Sequence, residues 1–121
     1  MGSGDWENGP LPHDRLIAFQ VATELLIVVR DAKIGDPHLR DQALRAAKNT
    51  CLNIAEGAGR ERVRDKGRAY TIARGEAAEA AAAVQIAAVA GDCHDDAARA
   101  SRALASRTIA LLTGLINRPE S

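Results

Sequence analysis

Aromatic residues are nearly absent from this chain: Trp6, Phe19 and Tyr70 are the only three. Strand formers of that kind are too scarce to organise a β-sheet core. Proline is also rare. Pro10, Pro12, Pro37 and Pro119 are the four, each where a helix would begin or end, so long stretches carry no residue that breaks a helix interior. The two cysteines, Cys51 and Cys93, form no C-x-x-C pair, which removes the usual redox and zinc motifs. Cys51 falls inside a helical apolar pattern and reads as a small buried hydrophobe. No disulfide is expected, and a cytoplasmic location is the default that follows.

Charge of one sign is lacking too. Sixteen basic and sixteen acidic residues give a net charge of zero. That balance argues against a non-specific nucleic-acid coat protein but leaves local patches open. No apolar run reaches the roughly 18 residues a membrane span needs, so no membrane partner is expected. The opening Met1-Gly-Ser-Gly-Asp-Trp6 has neither a basic start nor an apolar stretch and is not expected to be a signal peptide.

Catalytic constellations are missing. A di-iron bundle needs Glu-x-x-His on two helices, and no glutamate here has a histidine three residues later. His13, His38 and His94 stand singly near expected helix ends and read as solvated or capping residues. Glu76 and Glu79 form a Glu-x-x-Glu pair without histidines, and Cys93-His94-Asp95 has no second cluster to complete a metal site. Neither a P-loop nor Gly-x-Ser-x-Gly occurs. Gly57 and Gly59 follow a helix rather than a strand, so they do not make a dinucleotide loop. The expectation is a chain with no catalytic, metal or cofactor residue, and not an enzyme.

What is present is alanine, 25 of 121 residues, the strongest helix former. The punctuation divides the chain into an extended arm over 1–13, a four-helix bundle over 14–117 and a tail over 118–121. Helix 1 is expected over 14–32 with Asp14 as its cap. Helix 2 is expected over 37–56, capped by Asp36 with Pro37 in the first turn and ended by Gly57-Ala58-Gly59. Helix 3 is expected over 64–90, closed by Gly91. Helix 4 is expected over 95–116, capped by Asp92 or Asp95. Short loops make consecutive helices antiparallel, so the fold class is all-α, an up-and-down four-helix bundle.

The helix faces suggest more than one bundle. Helix 2 is ordinarily amphipathic, with Leu39, Ala43, Ala46, Ala47, Thr50 and Ile54 on one stripe. Helix 1 carries apolar residues over more than half its circumference. Between Ala77 and Ala90, helix 3 has only Glu79 and Gln85 as polar residues. A helix apolar on most sides must be buried on most sides, and one bundle covers only part of each helix. The excess points to a subunit interface, unless alanine is simply a helix former tolerated on a wet surface. Gly75, in mid-helix, reads either as a point of close backbone approach or as a neutral glycine.

The most specific residues lie in Leu39–Arg60, which contains Asn53-Ile54-Ala55-Glu56-Gly57 followed by Gly59-Arg60. This string resembles the central motif of the bacterial four-helix bundle family, also called the S23 or 23S rRNA intervening-sequence protein family. A second block, Ala69–Glu79, resembles that family's small-residue segment of helix 3. The resemblance spans roughly 14–115. It implies an antiparallel bundle assembling into a homo-oligomeric, pentameric ring. It also implies distant kinship with the accessory protein of diversity-generating retroelements, a basic pentamer that binds nucleic acid and a reverse transcriptase. This chain departs from that relative in being neutral.

Read on its own chemistry, Glu56 lies in the last turn of helix 2, where the helix dipole disfavours an anion. A cation is expected beside it, with Arg60 and Arg74 as candidates. Asn53 shares its face and could tie helix 2 to the following turn, or the same stripe could form a partner site. Beyond it, Arg60, Arg62, Arg64, Lys66 and Arg68 give five basic against two acidic residues at the helix 2–3 turn, with Arg74 further along. Such density can hold phosphate backbones, or it can be an ordinary solvated helix start. Two functions stay open: a scaffold ring that binds itself and a protein partner, and an RNA- or DNA-binding accessory using this basic rim.

Overall fold

In the computed structural model, residues 9–14 and 16–118 are described. The expected residues 1–8 of the arm and 119–121 of the tail lie outside them. Four helices follow in order: α1 Ile17–Asp31, α2 Pro37–Gly59, α3 Val63–Val89 and α4 Asp95–Asn117. Each packs antiparallel on its chain neighbour, α4 returns against α1, and α1 and α3 meet only across the diagonal. No strand occurs among the described residues.

The core is built from small residues. Ala43, Ala46, Ala47, Ala77, Ala80 and Ala87 surround Leu25, Val29, Ile34 and Val84 in one cluster. A second cluster joins Ala18, Ala22, Cys51, Ile54, Tyr70, Ala73 and Leu112. Alanine leaves α2 and α3 free to lie close together, which is how a chain with three aromatics builds an interior. The buried hydroxyls of Thr50 and Thr108 donate to the carbonyls of Ala46 and Leu104, both at 2.8 Å, so their burial costs little.

Two of the expected caps are present. The Asp36 carboxylate accepts from the Leu39 amide at 2.8 Å, with Pro37 at the first helical position. Gly91, at φ +83°, closes α3. The Asp92 amide reaches back to the Ala87 carbonyl at 2.7 Å and the Gly91 amide to Ala88 at 3.1 Å, a Schellman closure.

Two other expected caps are corrected. Asp14 does not cap α1, which begins at Ile17 with no side-chain cap. Asp14 instead accepts from the Leu11 amide at 2.8 Å, closing a turn ahead of the helix, and the His13 ring packs on Phe19 with centroids 4.5 Å apart. For α4 the cap is His94, whose Nδ1 accepts from the Asp96 amide at 3.2 Å. Asp95 and Asp96 occupy the first turn, where the dipole favours acids. The α1–α2 and α3–α4 loops meet at one end of the bundle, joined by the Gly35 amide and the Asp92 carbonyl at 2.8 Å. The α2–α3 turn and the C-terminal end of α4 therefore share the opposite end.

Candidate functional site at the α2–α3 end

The motif Asn53–Arg60 occupies the last two turns of α2, which continues through Gly59 rather than ending at Glu56. Its members serve different purposes. Ile54 is fully buried in the core. The Asn53 side-chain amide donates to the Asn49 carbonyl at 2.8 Å within its own helix, and among the described residues it bonds to no other element. Ala55 is half-buried and Gly59 exposed, with nothing near the space a side chain would fill at Gly59. Gly57 is not a left-handed cap. It is helical and buried, and the Tyr70 ring of α3 lies against it.

Glu56 and Arg60 form an ion pair at 3.5 Å, both side chains being about half exposed (54% and 53%). Arg74, the other candidate for Glu56, points elsewhere: its guanidinium donates to the Thr113 hydroxyl of α4 at 3.1 Å.

The basic run divides in the same way. Arg60, Arg62, Arg64 and Arg68 are exposed. Lys66 is part-buried, and its ammonium donates to the carbonyls of Gly57 at 3.3 Å and Ala58 at 3.1 Å. It satisfies carbonyls at the C-terminus of α2 and completes the work that glycine was expected to do there. Lys66 is thus a helix cap in this structure, and Arg74 a link to α4. Four arginines remain as the rim.

That rim is not purely cationic. A groove of ≈ 240 Å³ is lined by Glu56, Arg60, Asp65, Arg68, Ala69 and Ile72, so two carboxylates sit among the guanidinium groups. On the same end of the bundle, Arg118 borders a larger apolar groove of ≈ 420 Å³ between α1 and α4, with Leu16, Ile17, Leu111 and Leu115 in its walls. Nothing in the sequence order joins Arg118 to the rim; the antiparallel topology does.

The second prominent surface is the outward face of α3. Ile72, Ile86 and Val89 are exposed, Val89 at 86%, and Ala82, Gln85, Ile86, Val89 and Ala90 line a shallow groove of ≈ 390 Å³. Gly75 is on this side and, among the described residues, nothing lies within 4 Å of the space a side chain would take. Both thiols are held in their neutral form. Burial pushes Cys51 up to about 11, and burial together with Asp92 and Asp95 raises Cys93. Burial also raises Tyr70. Among the described residues, no helix is long and apolar enough to cross a membrane, and no three His, Cys, Asp or Glu side chains gather as a metal site.

Curated proteins offer no match to this chain. The family model described as 23S rRNA-intervening sequence protein matches residues 16–114, from the residue before α1 to the last turn of α4. With four antiparallel helices and the Asn53–Arg60 motif in that span, the chain belongs to the 23S rRNA-intervening sequence protein family.

Proposed function

We propose that the chain is a non-enzymatic subunit of a homo-oligomeric ring that acts as a scaffold for a protein partner in the cytoplasm. One observation carries this reading: the apolar residues on the outward side of α3, with Val89 86% exposed. A bundle with a complete interior has no use for such a face unless another surface covers it. Sedimentation velocity at micromolar concentration tests it. A single species several times the 12.8 kDa of one chain supports the ring; a monomer defeats it.

A second reading, an RNA- or DNA-binding accessory, is favoured by the four exposed arginines Arg60, Arg62, Arg64 and Arg68 at one end of the bundle. In a ring, several copies of that end would act together, and avidity would raise affinity without new contacts. Glu56 and Asp65 in the same groove weigh against it, because they repel phosphate. Anisotropy with generic RNA across a salt series decides between the two. Binding that weakens steeply with salt and vanishes when Arg62, Arg64 and Arg68 are all changed to Glu supports the accessory. No binding at low salt leaves the scaffold.

A further inference from the structure

We propose that the N-terminal arm folds back over its own bundle and seats Trp6 in the apolar groove between α1 and α4. The seat depends on neither the scaffold nor the nucleic-acid reading.

The groove of ≈ 420 Å³ is walled by Leu16 and Ile17 on the α1 side and by Leu111 and Leu115 on α4. Ile17 is 53% exposed. Gly114 also lines it, and among the described residues nothing stands within 4 Å of the space a side chain there would take. A side chain missing from the last turn of α4 thus leaves room beside four apolar ones. Small-molecule pockets begin at about 300 Å³, so a single indole with its adjoining backbone fits. An indole is also flat and apolar along most of its body, with one N–H to donate.

Both ends of the chain meet here, because α1 begins and α4 ends at this end of the bundle. After Arg118 the chain reads Pro119-Glu120-Ser121, with no large apolar residue. Before Gly9 it reads Met1-Gly-Ser-Gly-Asp-Trp-Glu-Asn8, and its bulkiest residue, Trp6, is the only tryptophan of the chain. Trp6 stands between Asp5 and Glu7, and the exposed cation at the edge of the groove is Arg118. An indole flanked by carboxylates matches an apolar slot edged by a guanidinium, in surface and in charge.

The arm is anchored next to that slot. The Leu11 amide donates to the Asp14 carboxylate at 2.8 Å, and the Asp14 amide donates to the Leu11 carbonyl at 3.0 Å. The Leu16 amide donates to the His13 carbonyl at 3.1 Å. Two overlapping turns, each about 7 Å or less across, therefore keep Leu11 near Leu16, a wall of the groove. Trp6 is five residues before Leu11 and extends up to about 17 Å from it. The groove runs from Ala110 to Arg118 on α4, about 12 Å at helical rise, a comparable span. Anchoring makes docking intramolecular, which raises the local concentration of the indole. Pro10 and Pro12, each with a fixed φ, reduce the freedom lost when the arm docks.

The test reads the fluorescence of Trp6 in the full chain, excited where Tyr70 does not absorb. In the wild type, acrylamide should quench Trp6 several-fold less than it quenches free N-acetyltryptophanamide, and the emission should lie to the blue of that compound. Gly114→Leu fills the groove with a better helix former. It should return quenching and emission to the free values while far-UV circular dichroism shows the helices retained. Arg118→Glu, at an exposed position that leaves the core untouched, sets like charge against Asp5 and Glu7 and should raise quenching part of the way. Gly67→Leu, in equally open space on α3, should leave Trp6 as in the wild type. A wild-type Trp6 as quenchable as the free compound overturns the proposal. So does protection that survives Gly114→Leu, that ignores Arg118→Glu, or that Gly67→Leu removes as well. Protection that fades on dilution would seat Trp6 against a second chain and overturns it too.

Discussion

Gly57 of α2 and Tyr70 of α3 are in direct contact: a β-carbon on Gly57 would stand 2.6 Å from Cε1 and 2.8 Å from Cδ1 of the ring, and 3.2 Å from the Ala69 methyl. The aromatic ring is rigid and only 3% exposed, so it has little room to withdraw. The glycine of the family motif is therefore a packing residue, set where the tyrosine crosses α2.

This contact predicts opposite results for two glycine-to-alanine changes. Alanine normally improves a helix interior by about 1 kcal/mol. Gly57→Ala should nevertheless destabilise the chain by about 1–3 kcal/mol, as overpacking does. Gly67→Ala in α3, where a side chain would meet nothing within 4 Å, should stabilise it by about 0.5–1 kcal/mol. Urea melts of the two variants check this, and a Gly57→Ala chain at least as stable as wild type would refute the packing role.

Lys66 predicts a separation of stability from binding. Its ammonium donates to two carbonyls at the end of α2, so Lys66→Met should cost roughly 1–2 kcal/mol. Whatever affinity for RNA the arginine rim provides should hardly change, because Lys66 is not free to meet a phosphate. A thermal melt and an anisotropy titration of the same variant read both effects.

Glu56 is expected to matter less than its place in the motif suggests. Its pair with Arg60 is half exposed, and such pairs contribute about 0–1 kcal/mol. Glu56→Ala should accordingly fall within about 1 kcal/mol of wild type in urea, with the difference shrinking further in high salt. A larger loss would mean that Glu56 is held by more than Arg60.

Stability should fall at high pH. Burial raises the Cys51 thiol from 9.0 to about 11, so the folded state favours the neutral form. Below pH ~8.5, the usual range for an unfolded thiol, the full contribution is present. As pH climbs from there through about 11 the unfolded chain ionises first and the contribution is lost. Tyr70 is shifted the same way and adds to the trend. Melting temperature should thus drop over this window, and less steeply in Cys51→Ala. Equal slopes would show that Cys51 is not the group responsible.

Much of the fold was legible in the sequence. Four helices follow from alanine density and from glycine and proline at their ends, and Asp36 and Gly91 act as local chemistry dictates. What stayed hidden depends on contacts between distant residues. Glycine after a helical run reads as a cap, and only the arrival of Tyr70 from α3 makes Gly57 a packing residue. Lys66 reads as one charge among five until the turn folds it back onto the α2 carbonyls. His94 reads in the sequence as a solvated or capping residue, and only the fold sets its ring, rather than Asp92 or Asp95, at the start of α4. At the candidate site, the arginine cluster, its acidic neighbour Asp65 and the nearness of Arg60 to Glu56 are visible along the chain, whereas the presence of Arg118 at the same end requires the topology.

The account turns on whether α3's outward face is covered by another copy. Native mass spectrometry of the unmodified chain measures this most directly, because it counts subunits as whole numbers. The expected result is one dominant closed species of several times 12.8 kDa, a pentamer as the family resemblance implies, with no ladder of larger open assemblies. A spectrum dominated by a single chain of 12.8 kDa at micromolar concentration would contradict it and leave the exposed Ile72, Ile86 and Val89 without a purpose.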